Sequence, residues 1–112
     1  MGSEILEVEK IAMLKIETVQ GPPNVLLALE GELDLTSAEI LGKRLQEMDV
    51  NGVTSVTFSL DGLEFIDSTG IGLLLRYYKS SSQRNLAVYI ENENEEIEAI
   101  LSLIGVREIM SP

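Results

Sequence analysis

Two kinds of apolar periodicity alternate along this chain of 112 residues. Strand-like patterns cover 11–19, 25–29, 56–60 and 86–90, mostly with every second residue apolar. Between and after them, apolar residues recur at intervals of three and four, as on one face of an α-helix, over 38–48, 71–78 and 97–104. The predicted order of elements is therefore β-β-α-β-α-β-α, followed by a short edge strand at 106–110.

This order predicts the fold class. Strands that alternate with helices form βαβ units, in which parallel strands are joined by right-handed crossovers. The first two strands are separated by Gly21-Pro22-Pro23-Asn24, a turn sequence, so we expect them to form a hairpin. We predict one α/β domain over 1–112, with a mixed, mostly parallel sheet of four to five strands and three to four helices. Residues 1–10 are predicted to be a short acidic lead-in.

Local signals predict where these elements begin and end. Thr36 and Glu39 match a capping box, which places the start of the first helix after Thr36. Asn92 with Glu95 repeats this pattern before the third helix. Turn residues at 30–31 and 61–62 predict the ends of the second and third strands.

The composition excludes several kinds of chemistry. The chain has no cysteine and no histidine, which removes disulfides, thiol nucleophiles, imidazole-based triads and histidine-ligated zinc. Its net charge of −11 disfavours nucleic acids and anionic membranes as partners. The acidic N-terminus does not resemble a signal peptide, and no apolar run approaches the length of a membrane span. We expect a cytoplasmic protein with no cofactor.

The segment Asp67-Ser68-Thr69-Gly70-Ile71-Gly72 stands where the second helix is predicted to begin. Asp67, Ser68 and Thr69 are all residues that cap helices, and local sequence alone favours this role. Gly70 and Gly72 each cost about 1 kcal/mol relative to alanine inside a helix, which indicates that something approaches the backbone closely. A phosphate on Ser68 would meet free N–H groups and the positive end of the helix dipole. Capping and phosphorylation both remain open on this reasoning.

Two further regions are candidates for binding a partner. Functional loops of α/β sheets lie at the carboxyl ends of the strands, which selects the loop containing Glu32 and Asp34. Leu73 and Tyr77 lie off the predicted core stripe of the second helix. We favour their contact with a neighbouring helix; the alternative is an apolar patch beside Ser68 that a partner covers.

Enzymatic interpretations find less support in the sequence. No Gly-Lys-Ser/Thr element of a P-loop is present, and Asp-Ser-Thr-Gly occurs only once. The acidic residues of 91–98 are interpreted as a solvated helix start rather than a metal site. A metal-dependent nucleotide hydrolase using Asp34 and Asp67 is the least favoured hypothesis.

Three motifs together resemble a known family. Gly31-Glu32-Leu33-Asp34, the box at Thr36, and the segment from Phe65 to Gly72 are similar to those of bacterial anti-sigma factor antagonists, which are STAS domains. The resemblance extends from about residue 11 to 110. It implies a protein that is not an enzyme: the unphosphorylated form binds an anti-sigma factor that is also a serine kinase, and thereby frees a sigma factor. The kinase, using its own bound ATP, then phosphorylates the antagonist and ends the complex, and a PP2C-type phosphatase resets it.

The resemblance also implies roles for individual residues. Ser68 would be the phosphate acceptor, Thr69 the alternative acceptor, and Asp67 would orient the site. The partner-binding set comprises Glu32, Asp34, Asp67, Thr69, Gly70, Gly72, Leu73 and Tyr77. STAS domains also serve as constitutive scaffold subunits of stressosome-like or transporter assemblies, which is the alternative function.

Overall fold

A computed structural model describes residues 13–92 and 94–110. The strands are β1 (Leu14–Gln20), β2 (Asn24–Leu33), β3 (Ser55–Ile66) and β4 (Ala87–Glu91). The helices are α1 (Leu35–Glu47), α2 (Ser68–Ser82), α3 (Glu95–Leu103) and α4 (Val106–Ile109).

The four strands form one mixed sheet in the order β1-β2-β3-β4. β1 and β2 are antiparallel neighbours, whereas β2, β3 and β4 are parallel, with α1 and α2 as the connections. The α/β fold class and the initial hairpin are therefore confirmed. The predicted lead-in at 1–10 lies outside the described residues.

The buried face of α2 differs from the predicted one. Gly70, Leu74, Tyr77 and Ser81 are buried, whereas the predicted stripe contributes only Leu74 fully. Tyr77 packs edge-to-face on the β3 residue Phe58, with ring centroids 5.9 Å apart. Because six of the eight residues from 71 to 78 are large and apolar or aromatic, periodicity alone did not determine the rotation of this helix.

Two strands are longer than predicted. β2 continues through residues 30–31 to Leu33, and β3 continues through 61–62 to Ile66. Their pairing shifts register between Ala28 and Glu30 and again between Gly31 and Glu32, and at each shift β3 has one residue more than β2. The turn-forming residues at 61–62 are thus accommodated as a bulge beside a neighbouring strand instead of ending β3.

The predicted edge strand at 106–110 is wrong, because Val106–Ile109 forms the short helix α4. Gly105 precedes it with φ of 80°, a conformation that favours glycine. The tail still reaches the sheet, since the N–H of Ile90 in β4 donates to the carbonyl oxygen of Met110 at 2.9 Å.

The start of α1 also differs from the prediction. Asp34, not Thr36, is the N-cap: one carboxylate oxygen accepts from the N–H groups of Thr36 and Ser37, both at 3.1 Å. Ser37, in place of Glu39, completes the capping box, because its hydroxyl oxygen accepts from the Asp34 N–H at 2.9 Å. The sequence carries three cap-forming residues within four positions, and the end of β2 selects the first.

A similar shift occurs at α3. Its N-cap is Asn94, not Asn92, and the Asn94 side-chain oxygen accepts from the N–H groups of Glu96 at 3.0 Å and Ile97 at 3.3 Å. The Asn94 side-chain nitrogen donates to the Leu63 carbonyl of β3 at 2.8 Å. This second bond ties the helix start to β3.

We expect Asp34→Ala to lower the midpoint of urea unfolding more than Thr36→Ala does, because only Asp34 accepts hydrogen bonds from the first turn of α1. The N–H of Ser37 is the main cause that lowers the pKa of the Asp34 carboxyl. A lowered pKa means that the carboxylate stabilises the fold above its unfolded-state pKa and loses this effect as the pH falls through the lower folded value. Circular dichroism should therefore show the difference between wild type and Asp34→Ala shrinking below about pH 4. An equal effect of the two substitutions at pH 7 would contradict the assignment of Asp34 as the cap.

Candidate functional site

Two aspartates lie at adjacent carboxyl ends of the parallel sheet. Leu33 and Ile66 are register partners at the ends of β2 and β3, so Asp34 and Asp67 follow them side by side. The N–H of Asp67 donates to the Leu33 carbonyl at 3.2 Å, which joins the two strand ends. Each aspartate is the N-cap of the helix that follows, so the starts of α1 and α2 are neighbours. This arrangement brings two regions that the sequence predicted, the loop with Asp34 and the segment that begins at Asp67, together at one edge of the sheet.

Asp67 caps α2 and leaves the hydroxyl of Ser68 free of that role. The Asp67 carboxylate accepts from the Gly70 N–H at 3.0 Å, and its carbonyl accepts from the Ile71 N–H at 3.0 Å. Ser68 is exposed and Thr69 half-buried. No described residue forms a hydrogen bond with the Ser68 hydroxyl or accepts from the N–H groups of Ser68 and Thr69. The capping interpretation therefore applies to Asp67, not to Ser68 or Thr69.

The two glycines of this turn have different surroundings. A Cβ at Gly70 would lie 2.7 Å from both the Cγ atom and the carbonyl oxygen of Leu33, so the group that approaches this backbone is the end of β2. A Cβ at Gly72 would lie 3.3 Å from a guanidinium nitrogen of Arg76, which is the far end of a flexible side chain. Gly70 thus allows α2 to pack closely on β2, whereas the space beside Gly72 is shared with Arg76.

The Gly31–Asp34 segment is mostly strand. Gly31, Glu32 and Leu33 belong to β2, and only Asp34 lies beyond it. Glu32 is half-buried; its N–H donates to the Met13 carbonyl at 2.7 Å, and its carbonyl accepts from the Ser37 hydroxyl at 2.7 Å. Its position next to Asp34 nevertheless places it at the same edge as Ser68.

Two exposed apolar residues at this edge were not predicted as part of a binding surface. Leu35 follows Asp34 and is 68% exposed, and Phe65 lies two residues before Asp67 and is 47% exposed. In β3, Leu60, Leu63 and Ile66 are buried at intervals of three, because the bulges interrupt the alternation. Phe65 is consequently turned outward. Only the register of the bulged strand could have revealed this.

Leu73 and Tyr77 lie further along α2. Leu73 is half-buried, and its Cδ1 atom lies 3.4 Å from the position of a Cβ on Gly42, so it faces α1. Tyr77 is 9% exposed, with its ring in the core. Burial raises the pKa of Tyr77, with smaller opposing effects from Ser81 and Arg84. Leu73 agrees with the favoured interpretation, contact with a neighbouring helix, whereas Tyr77 packs on Phe58 of β3 instead. We leave both residues out of the surface around Ser68.

The described residues contain no group of three side chains suited to holding a metal ion. Asp34 and Asp67, the pair of the hydrolase hypothesis, are both engaged as helix caps. Within the same ranges, no helix is both long and apolar enough to cross a membrane.

The fold and this edge define the class of protein. The model of the STAS domain family matches residues 14–112, which include the whole sheet and the turn at Ser68. The chain belongs to the STAS domain family.

Individual relatives agree with this assignment. The anti-sigma-B factor antagonist of Staphylococcus aureus (strain NCTC 8325 / PS 47) is 27% identical over 97 residues, covering 87% of this chain and 90% of the relative. A putative anti-sigma factor antagonist from Thermotoga maritima (tm1081) superposes with a TM-score of 0.73 at 25% identity, covering 92% of this chain and 87% of the other. The unphosphorylated form of the anti-sigma factor antagonist SpoIIAA superposes with a TM-score of 0.71 at 22% identity, covering 87% of this chain and 84% of the SpoIIAA chain. The phosphorylated form of Bacillus SpoIIAA gives a TM-score of 0.61 at 23% identity, covering 87% of each chain.

Replacing Gly70 by alanine should destabilise the protein by about 1–3 kcal/mol, because the added methyl group would overlap Leu33 at a rigid strand end. Gly72→Ala is the matched control in the same turn. It should be neutral or stabilising by up to about 1 kcal/mol, since Arg76 can move aside and alanine favours the helix. Urea unfolding followed by circular dichroism measures both. Equal stabilities of the two variants would contradict the close packing of α2 on β2.

Proposed function

We propose that this chain is a cytoplasmic anti-sigma factor antagonist controlled by phosphorylation of Ser68. In its unphosphorylated form it binds an anti-sigma factor that is also a serine kinase, and a sigma factor is released. Phosphorylation of Ser68 by that kinase ends the complex. The observation that carries the proposal is the exposed Ser68 hydroxyl, which has no hydrogen bond with the described residues because Asp67 provides the helix cap. Three of the similar proteins are named as anti-sigma factor antagonists, one of them as a putative one, and SpoIIAA has been solved in unphosphorylated and phosphorylated forms.

The surroundings of Ser68 suit a phosphate that changes the surface without unfolding the chain. The backbone N–H groups of Ser68 and Thr69 have no acceptor among the described residues, and the start of α2 is the positive end of its dipole. A phosphate adds about two negative charges. The phosphate would lie beside the carboxylates of Asp34 and Asp67. It would therefore make the surface that a partner binds more negative. Thr69, which is half-buried, is a less accessible acceptor than Ser68.

The same edge has the composition of a protein-binding surface. Leu35 and Phe65 supply exposed apolar area beside Ser68, and Glu32, Asp34 and Asp67 supply negative charge around it. Large apolar side chains surrounded by polar groups are typical of the energetic centre of an interface. We expect the partner to present an apolar pocket with basic groups at its rim, since complementary charge raises the association rate. A phosphate in the middle of this surface would oppose the apolar contacts, because it would have to be desolvated.

In this proposal, the chain and its partner enzymes contribute different groups to the phosphorylation cycle. The chain contributes the hydroxyl that accepts the phosphate, while ATP and the groups that activate the transfer belong to the kinase. Removal of the phosphate requires a separate phosphatase, of the PP2C type in this proposal. The antagonist itself would have no enzymatic activity.

The proposal is tested by incubating the chain with ATP and a serine-kinase anti-sigma factor from the same organism, followed by intact-mass measurement. Wild type and Thr69→Ala should each gain one phosphate, and Ser68→Ala should gain none. If Ser68→Ala is phosphorylated as fully as wild type, Ser68 is not the acceptor.

A charge substitution separates the switch from a constitutive scaffold. Ser68→Asp should weaken binding to the same anti-sigma factor by at least about tenfold, or about 1.4 kcal/mol, and Ser68→Ala should bind as wild type does. Calorimetry measures the affinities, and light scattering on eluted complexes measures their size. A stable large assembly that is unchanged by Ser68→Asp would favour the scaffold function and contradict the switch.

A further inference from the structure

A groove between α1 and α2 lies outside the surface around Ser68. Its volume of about 460 Å³ falls within the range of small-molecule sites. α1 contributes one side and α2, with the residues just after it, the other. The lining residues are Gly42, Leu45, Gln46, Met48, Leu73, Arg76, Tyr77, Ser80 and Arg84.

The charge of the groove is opposite to that of the chain. Arg76 and Arg84 line it, and no aspartate or glutamate does, although the chain has 19 acidic and 8 basic residues. α2 has no acidic residue between Ser68 and Ser82. No described carboxylate forms an ion pair with either guanidinium group. The groove therefore offers two cationic donors whose charge no residue in the described part of the chain compensates.

Apart from the arginines and the polar residues Gln46 and Ser80, the groove lining is mostly apolar. Leu45 of α1 and Leu73 of α2 form opposite walls, and Met48, just after α1, extends the first. Gly42 has no side chain, and this keeps the groove open next to Leu73, whose Cδ1 atom lies 3.4 Å from the position of a Cβ on Gly42. A ligand that fits must therefore have an apolar part as well as a negative charge.

We propose that this groove binds a small amphipathic carboxylate. Its apolar chain packs against Leu45, Met48 and Leu73, and its carboxylate pairs with one of the two lining arginines, Arg76 or Arg84. Arginine suits this role because its planar group donates two parallel hydrogen bonds to a carboxylate. The net charge of −11 strongly repels a polyanion but opposes a single carboxylate far less. Free phosphate would leave the apolar walls without a partner.

The test uses octanoate as the probe and the full, unphosphorylated chain. Titration followed by two-dimensional amide NMR should show saturable shifts at groove residues such as Gly42, Leu73 and Arg84, with little change at Ser68. Octyltrimethylammonium, which has the same chain length and opposite charge, should bind at least about tenfold more weakly, because each charged hydrogen bond contributes about 1.5–3 kcal/mol. Equal binding of the two probes, or equal binding of inorganic phosphate and octanoate, would overturn the proposal.

Variants assign the binding to the groove. The double substitution Arg76→Gln with Arg84→Gln should weaken octanoate binding by at least about tenfold. Lys79→Gln and Arg44→Gln remove charges from the same two helices but not from the groove lining, and should change the affinity less than about twofold, since exposed charges act weakly at a distance. Gly42→Met should fill the groove and abolish binding while the far-ultraviolet spectrum remains that of wild type. Retained binding in the double variant or in folded Gly42→Met would show that the groove is not the site.

Discussion

The parallel pairing of β2 with β3 is the constraint on which the rest of the structure depends. It holds Leu33 and Ile66 in register, and the hydrogen bond from the Asp67 N–H to the Leu33 carbonyl joins the two strand ends. The two N-caps, Asp34 and Asp67, become neighbours for this reason. Close packing at Gly70 then brings α2 against the end of β2. Without this register, the two halves of the candidate surface would not meet.

The edge formed in this way separates the stabilising role from the functional one. Asp67 satisfies the start of α2, so the adjacent Ser68 hydroxyl is not needed for the fold. A site of modification has to change its chemistry without unfolding the protein, and this arrangement meets that requirement. The exposed Leu35 and Phe65 have the opposite character: they cost solubility at the surface, which is consistent with their use in binding a partner. The proposed antagonist function would use both features, with the exposed apolar side chains binding the partner and phosphorylation of Ser68 ending that contact.

α2 connects two regions of opposite charge. Its start lies beside the carboxylates of Asp34 and Asp67, just beyond the ends of β2 and β3, whereas Arg76 on its side toward α1 and Arg84 just after it line the groove. The net charge of −11 describes neither region by itself. A protein partner and a small carboxylate would therefore be selected by different parts of the same helix. Because the groove residue Leu73 lies little more than one helical turn from Ser68, the two sites are near but distinct.

The sequence by itself determined the order of the main elements, the mixed α/β sheet, and the segment that contains Ser68, because alternating periodicities and a compact motif are local properties of the chain. The tertiary structure decided the features for which the local sequence allows more than one solution. Asp34, Thr36 and Ser37 can all cap a helix, and the strand end selected Asp34. Six of the eight residues of 71–78 are large and apolar or aromatic, so packing on Phe58 decided that Tyr77 faces the core. Two bulges in β3, which depend on its pairing with β2, turned Phe65 outward. The groove between α1 and α2 is likewise a property of two helices that the sequence separates and the sheet brings together.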